Sequence, residues 1–86
     1  MSPEASLELL RQAVSDTEAH RVVKAAMLLR VELVERFIER GRAEVADVML
    51  RNLDQFIEHM TDRRRGIVQE EALPLREMIA AIRETL

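Results

Sequence analysis

The sequence contains no cysteine, tryptophan or tyrosine, and their absence removes several classes of function from consideration. Without cysteine the chain can form no disulfide, no thiolate nucleophile and no sulfur-ligated zinc site. Its aromatic side chains are two phenylalanines, which offer little on which nucleic-acid bases could stack. We therefore expect neither thiol chemistry nor base stacking.

Long hydrophobic runs are also absent. No stretch approaches the ~20 apolar residues of a membrane-spanning helix, and the first residues lack the basic-then-apolar profile of a signal peptide. With 13 basic and 16 acidic residues, the net charge of −3 does not attract nucleic acid or an anionic membrane over a long range. We expect a cytoplasmic protein with no membrane partner, and nucleic acid is not its expected ligand.

Glycine and proline are scarce, with two residues of each, and they divide the chain into helical blocks. Apolar residues recur every three or four positions, and no segment shows the alternation of a strand. A chain of 86 residues has room for one core, so we expect residues 1–86 to form a single domain. The prediction is an all-α fold, a small antiparallel bundle of three to four helices at about 3–14, 16–40, 43–63 and 74–86.

Two boundaries in this prediction rest on specific signals. Ser15 and Glu18 have the spacing of a capping box, which predicts that the second helix begins near residue 16. A proline inside a helix costs ~3 kcal/mol or more, so we expect the last helix to begin at Pro74. Gly41 and Gly66 mark the ends of the second and third helices.

The second helix, residues 16–40, is apolar on more than one side. A helix of this kind is usually contacted by neighbours on two or more sides, so we predict that it is the central helix of the bundle. Its apolar positions include Val22, Val23, Ala26, Met27, Leu28, Leu29, Val31, Leu33 and Val34.

The same excess of apolar surface predicts an interaction site. A domain this small cannot cover every side of such a helix, which leaves an apolar patch suited to a partner. We expect Leu28, Leu29 and Val31 to form this patch. The cluster Arg63, Arg64 and Arg65 is expected to add cationic contacts, because guanidinium groups pair well with carboxylates.

Two alternatives use other residues. The Arg63–Arg65 cluster could serve a nucleic-acid-associated regulator, since arginine also binds phosphate. His20 could accept a phosphoryl group, and the segment resembles helical histidine-phosphotransfer domains in having a lysine shortly after the histidine. In those domains the lysine follows by three residues, whereas Lys24 follows His20 by four.

No combination of residues predicts catalysis, a cofactor or a metal site. The chain has no glycine-rich phosphate loop and no Ser-His-Asp order, and its two histidines lack a partner motif. We therefore expect a non-enzymatic protein-protein interaction module that binds another protein, itself as a homodimer, or both. Small proteins of this kind include inhibitors, immunity proteins, antitoxin-like regulators and adaptors, and many are encoded by phages or mobile elements.

Overall fold

The computed structural model describes residues 2–86 and contains four α-helices joined by short loops. Their bounds are α1, Pro3–Ser15; α2, Arg21–Glu39; α3, Ala43–Met60; and α4, Gln69–Glu84. The prediction of a small all-α bundle is confirmed. Within residues 2–86 no helix is long and apolar enough to cross a membrane.

The first loop shows that the predicted start of α2 at residue 16 was wrong. The Thr17 hydroxyl donates to the Val14 carbonyl at 2.8 Å and closes α1. Residues 17–20 then run without helical structure, and α2 begins at Arg21. Its cap is His20, whose Nδ1 accepts from the Val22 N–H at 3.2 Å. The expected capping box does not form because the Glu18 N–H donates to the Glu71 carboxylate at 2.8 Å.

The helices α3 and α4 also differ from their predicted ranges. The α3 helix ends at Met60, because the backbone at Thr61 is extended, and the three arginines that follow belong to a loop. The α4 helix begins at Gln69, whose N–H donates to the Asp62 carboxylate at 3.3 Å. Pro74 lies inside this helix, where the donor it lacks leaves only one carbonyl near the helix start without its partner.

The four helices form a ring in which each packs against two others, with the contacting pairs α1–α2, α2–α3, α3–α4 and α4–α1. Neighbours run antiparallel: Lys24 near the start of α2 donates to the Ser15 carbonyl at the end of α1. The prediction of a central second helix was therefore wrong. As a corner helix α2 has two neighbours, and its apolar residues are not all enclosed.

One core fills the ring, and nearly all of its residues are aliphatic. Burial of each such side chain contributes about 1.5–3 kcal/mol relative to exposure. In the described part of the chain no buried side-chain nitrogen or oxygen lacks a hydrogen-bond partner. The helical core residues are Leu7, Leu10 and Val14; Val23, Met27, Val31 and Val34; Ala46, Leu50, Leu53 and Ile57; and Ala72, Leu75, Ile79 and Ile82.

Ion pairs join α3 to α4 along the surface. The Arg83 Nε atom lies 2.9 Å from Asp47 Oδ1. Arg76 binds two carboxylates, with Nε 2.8 Å from Asp54 Oδ1 and Nη2 2.7 Å from Glu58 Oε2. Pairs this exposed add little stability, but their spacing matches antiparallel helices and fixes the register of α3 against α4.

The Arg83–Asp47 pair predicts a measurable pH effect. The hydrogen-bonded Arg83 guanidinium lowers the pKa of Asp47 below its ordinary value. The pair therefore stabilises the fold above the pKa of Asp47 in the unfolded chain, and this contribution is lost as the pH falls through the lowered pKa. We expect Arg83→Gln to raise the pKa of Asp47, as measured by carboxyl carbon NMR titration. Arg51→Gln is the control and should have a smaller effect, because Arg51 acts on Asp47 only through a weaker coulombic interaction. Equal shifts in the two variants would contradict the pairing.

Candidate interaction surfaces

The exposed side of α2 contains an apolar stripe over three turns, bordered by the exposed side chains of Glu32 and Arg36. This stripe is here called the α2 outer face. Residues spaced four, three and four apart lie on one side of a helix, and at ~100° per residue this side is about 130° around α2 from its core residues. Val22 is 63% exposed and Leu29 56%. The α2 outer face consists of Val22, Ala25, Ala26, Leu29 and Leu33, of which Ala26 and Leu33 are half-buried.

A groove lies on each side of the α2 outer face, and Leu29 borders both. The groove towards α1 is lined by Leu28 and closed by an ion pair between Arg11 Nη2 and Glu35 Oε2 at 3.1 Å. The groove towards α3 contains Leu33 and Met49. Leu29 is therefore a ridge between two shallow grooves, and helices pack against each other by fitting ridges into grooves.

The structure places the three residues of the predicted apolar patch, Leu28, Leu29 and Val31, in different surroundings. Leu29 lies on the α2 outer face, and Leu28 is half-buried beside it. Val31 is fully buried, so its assignment to the patch was wrong. The physical reason is its position one turn from both Met27 and Val34, on the side of α2 that faces the core.

Sequence reasoning missed most of the α2 outer face. Val22, Ala26 and Leu33 belonged to the broad apolar stripe of the second helix and were not separated from its core residues. The signal that could have found them is their spacing with Leu29, which is four, three and four residues. This is the spacing of the apolar residues between the helices of a two-stranded coiled coil. This series is distinct from the one formed by Val23, Met27, Val31 and Val34.

The predicted arginine cluster lies in the loop between α3 and α4, residues 61–68, here called the arginine loop. Its two ends are held together: the Ile67 N–H donates to the Met60 carbonyl at 3.1 Å, and the Asp62 N–H donates to the Ile67 carbonyl at 2.8 Å. Asp62 has a φ of 59°, in the left-handed region, which turns the chain sharply. The arginine loop is thus a closed turn and not an extension of α3.

Within this loop the three arginines have different surroundings. Arg63 turns back along α3 and donates to the His59 carbonyl. Neither Arg64 nor Arg65 forms an ion pair within residues 2–86. All three side chains are exposed. Arg64 and Arg65 are therefore the cations available to an acidic partner.

The arginine loop lies at the end of the bundle where α2 begins. The His20 N–H donates to the Gly66 carbonyl at 3.1 Å, which fixes the loop against the residue that precedes α2. The first exposed residue of the α2 outer face, Val22, follows two positions later. The structure thus places the arginine loop at the end of the bundle where the α2 outer face begins, and Leu29 lies two turns further along α2.

The two histidines do not come together. His20 caps α2 through Nδ1, and His59 lies beside the Arg63 guanidinium at the end of α3. Across residues 2–86 no group of three or more histidine or acidic side chains is placed to hold a metal ion. The groups whose pKa values are shifted belong to surface ion pairs, such as Arg42 with Glu44, and not to a cleft.

Other exposed apolar residues are isolated. Leu9, Val48 and Leu73 lie on three different helices, Val68 lies at the end of the arginine loop, and all four are between 42% and 51% exposed. A groove between α1 and α4 is apolar, but Leu9 is its one large exposed side chain. Single exposed aliphatic residues are normal on protein surfaces, whereas a contiguous stripe such as the α2 outer face is a candidate contact surface.

Comparison of the chain with models of protein families, with curated proteins and with solved structures found no match.

Proposed function

We propose that this protein is a non-enzymatic interaction module that binds an amphipathic helix along the α2 outer face. The observation that carries the proposal is the exposure of Val22 and Leu29 on an apolar stripe that the exposed Glu32 side chain borders. An amphipathic helix presents apolar residues at the same spacing, and its ridges fit grooves such as those beside Leu29.

Burial of exposed apolar side chains supplies the free energy for docking a helix on the α2 outer face. Covering a large aliphatic side chain contributes about 25 cal/mol for each Å² removed from water. Leu29 and Val22 each leave more than half of their surface to solvent, and Ala25 beside them is also exposed. Because alanine leaves the helix backbone accessible, a second helix can approach closely at Ala25 and Ala26.

The arginine loop supplies the charged margin of this surface. Interfaces commonly have an apolar centre and a polar rim, and arginine is enriched in them. Arg64 and Arg65 are exposed next to the start of α2 and lack internal ion pairs in the described chain. We propose that they bind carboxylates that flank the apolar face of the docked helix.

Site-specific photo-crosslinking tests the proposal. We expect a benzoylphenylalanine at position 29 to form a covalent adduct with a protein in the native cells, because a helix docked on the α2 outer face lies within its reach. The same group at position 73 is the control: Leu73 is also exposed, but it lies on α4. Adducts are resolved by gel electrophoresis and mass spectrometry.

A second substitution makes this test specific. The position-29 adduct should disappear when Leu33→Glu places a charge on the same face. Lack of any protein adduct at position 29, or adducts of equal yield at positions 29 and 73, would contradict the proposed function. An adduct that persists in the Leu33→Glu variant would do the same.

A further inference from the structure

We propose that the docked helix is α2 of a second copy of this chain, and that the two α2 helices pair antiparallel about a two-fold axis. This inference rests on the proposed function and names its partner. Three observations carry it: the spacing of the apolar residues, the distribution of charge along α2, and the absence of acidic residues from its first turn.

The apolar spacing is symmetric. Val22, Ala26, Leu29 and Leu33 follow one another at intervals of four, three and four, so the series reads the same in both directions. A two-fold axis between residues 27 and 28 places Val22 opposite Leu33 of the second chain. It places Ala26 opposite Leu29 of the second chain, so that a small side chain meets a large one. Such alternation fills space between helices without overlap.

The charges on α2 favour the antiparallel arrangement. Residues 21–30 contain three basic and no acidic residues, Arg21, Lys24 and Arg30. Residues 31–39 contain three acidic residues and one basic residue, Glu32, Glu35, Arg36 and Glu39. Antiparallel pairing sets the basic half of each helix beside the acidic half of the other, whereas parallel pairing sets like charges together.

The start of α2 breaks a rule that the other helices follow. The first turns of α1, α3 and α4 contain acidic residues, which suit the positive pole of a helix, but the first turn of α2 contains none. Lys24 is used within the chain, since its Nζ donates to the Ser15 carbonyl at 3.0 Å. Arg21 forms no ion pair within residues 2–86. In the paired arrangement Glu32 of the second chain, which also forms an ion pair with Arg36 of its own chain at 2.9 Å, approaches Arg21 and supplies the missing negative charge.

The size of the contact limits its strength. The seam from residue 22 to residue 33 is about 16 Å long at 1.5 Å per residue. Two short helices buried against each other over this length fall at the low end of specific interfaces. We therefore expect a reversible dimer with a dissociation constant of about 10–100 µM.

Because the chain lacks cysteine, single engineered thiols can report the register. We expect an equimolar mixture of the Val22→Cys and Leu33→Cys variants to form a mixed disulfide in a glutathione redox buffer. Each variant alone should form far less disulfide, because its own residue and the copy in the second chain are about 16 Å apart along the axis. Leu73→Cys mixed with Val22→Cys measures the yield of random collisions.

Sedimentation equilibrium gives an independent measurement. The unmodified chain should pass from monomer to dimer as its concentration rises. Leu29→Glu should weaken the dimer by about tenfold or more, because it buries a carboxylate in the seam. Circular dichroism of each cysteine and glutamate variant checks that the helices remain.

Three outcomes would overturn the antiparallel dimer. They are a mixed disulfide no more abundant than the Leu73 control, a Val22–Val22 disulfide that exceeds the mixed one, and a chain that stays monomeric at millimolar concentration. These outcomes are distinct from failure of the proposed function. If position 29 still photo-crosslinks to a different protein, the α2 outer face binds a helix and only self-pairing is wrong.

Discussion

Replacing Gly66 with alanine is expected to lower the free energy of unfolding by about 2–4 kcal/mol. A Cβ atom at this position would overlap the Met60 carbonyl oxygen and crowd the carbonyl carbon, both of which are backbone atoms. That carbonyl accepts the Ile67 N–H, which closes the arginine loop. The new methyl group can be accommodated only by moving α3 relative to the loop, so the hydrogen bonds of the loop are lost. Thermal unfolding followed by circular dichroism measures the loss.

Gly41→Ala is the matched control for this prediction. Gly41 has a φ of +72°, and nothing lies within 4 Å of an added Cβ. Its replacement therefore carries only the cost of a left-handed alanine, roughly 1–2 kcal/mol. If the two alanine variants unfolded at the same temperature, the steric explanation for Gly66 would be wrong.

A glutamate at position 31 is expected to destabilise the fold severely, whereas a glutamate at position 29 should leave the fold intact. Val31 is fully buried among aliphatic side chains, so its replacement by a carboxylate should cost about 4 kcal/mol or more. The whole stability of a domain this size is about 5–15 kcal/mol. Leu29 is 56% exposed, and its replacement should change monomer stability by no more than about 1 kcal/mol. Urea titrations of both variants give the two free energies.

This pair also separates folding from binding. Loss of dimer or partner binding in a Val31→Glu variant says nothing about the interaction surface, because the substitution destabilises the whole fold. The same loss in a folded Leu29→Glu variant locates the contact on the α2 outer face. A stable Val31→Glu variant would contradict the position of Val31 in the core.

The fold class could be predicted because it depends on local pattern. The apolar residues of α3 recur every three or four positions, which predicts the helix, and two of its buried residues, Leu53 and Ile57, belong to that pattern. The pattern does not fix which way the helix is turned: Val48, which belongs to it, is 42% exposed, whereas Ala46 and Leu50 are buried. The start of α2 could not be predicted in the same way. The capping signal at Ser15 and Glu18 is outweighed by Glu71, a residue 53 positions away that binds the Glu18 amide.

Pro74 gave a wrong helix start for a related reason. A proline removes one hydrogen bond and crowds the preceding turn, but Asp62 supplies a cap five residues before it. That cap depends on the left-handed turn at Asp62, which no short sequence pattern announces. Tertiary contacts of this kind routinely override intrinsic preference.

Tertiary packing also decides which of Leu29 and Val31 is buried, and the sequence alone could not predict this. Leu29 and Val31 point about 200° apart on a helix, so one faces solvent when the other faces the core. On a helix that is apolar nearly all round, the sequence alone does not say which of the two is inside. The positions of α1 and α3 decide it, since they cover Val31 and leave Leu29 between them.

The loops at the two ends of the bundle differ in their hydrogen bonds to other parts of the chain. Where α2 begins, the His20–Gly66 and Glu18–Glu71 hydrogen bonds tie the first loop to the third loop and α4. At the opposite end, the amides of residues 40–42 donate only to carbonyls of the last turn of α2. We therefore expect the loop around Gly41 to open locally before the loops around His20 and Gly66, with faster amide exchange at residues 40–42 than at residues 18, 20 and 67.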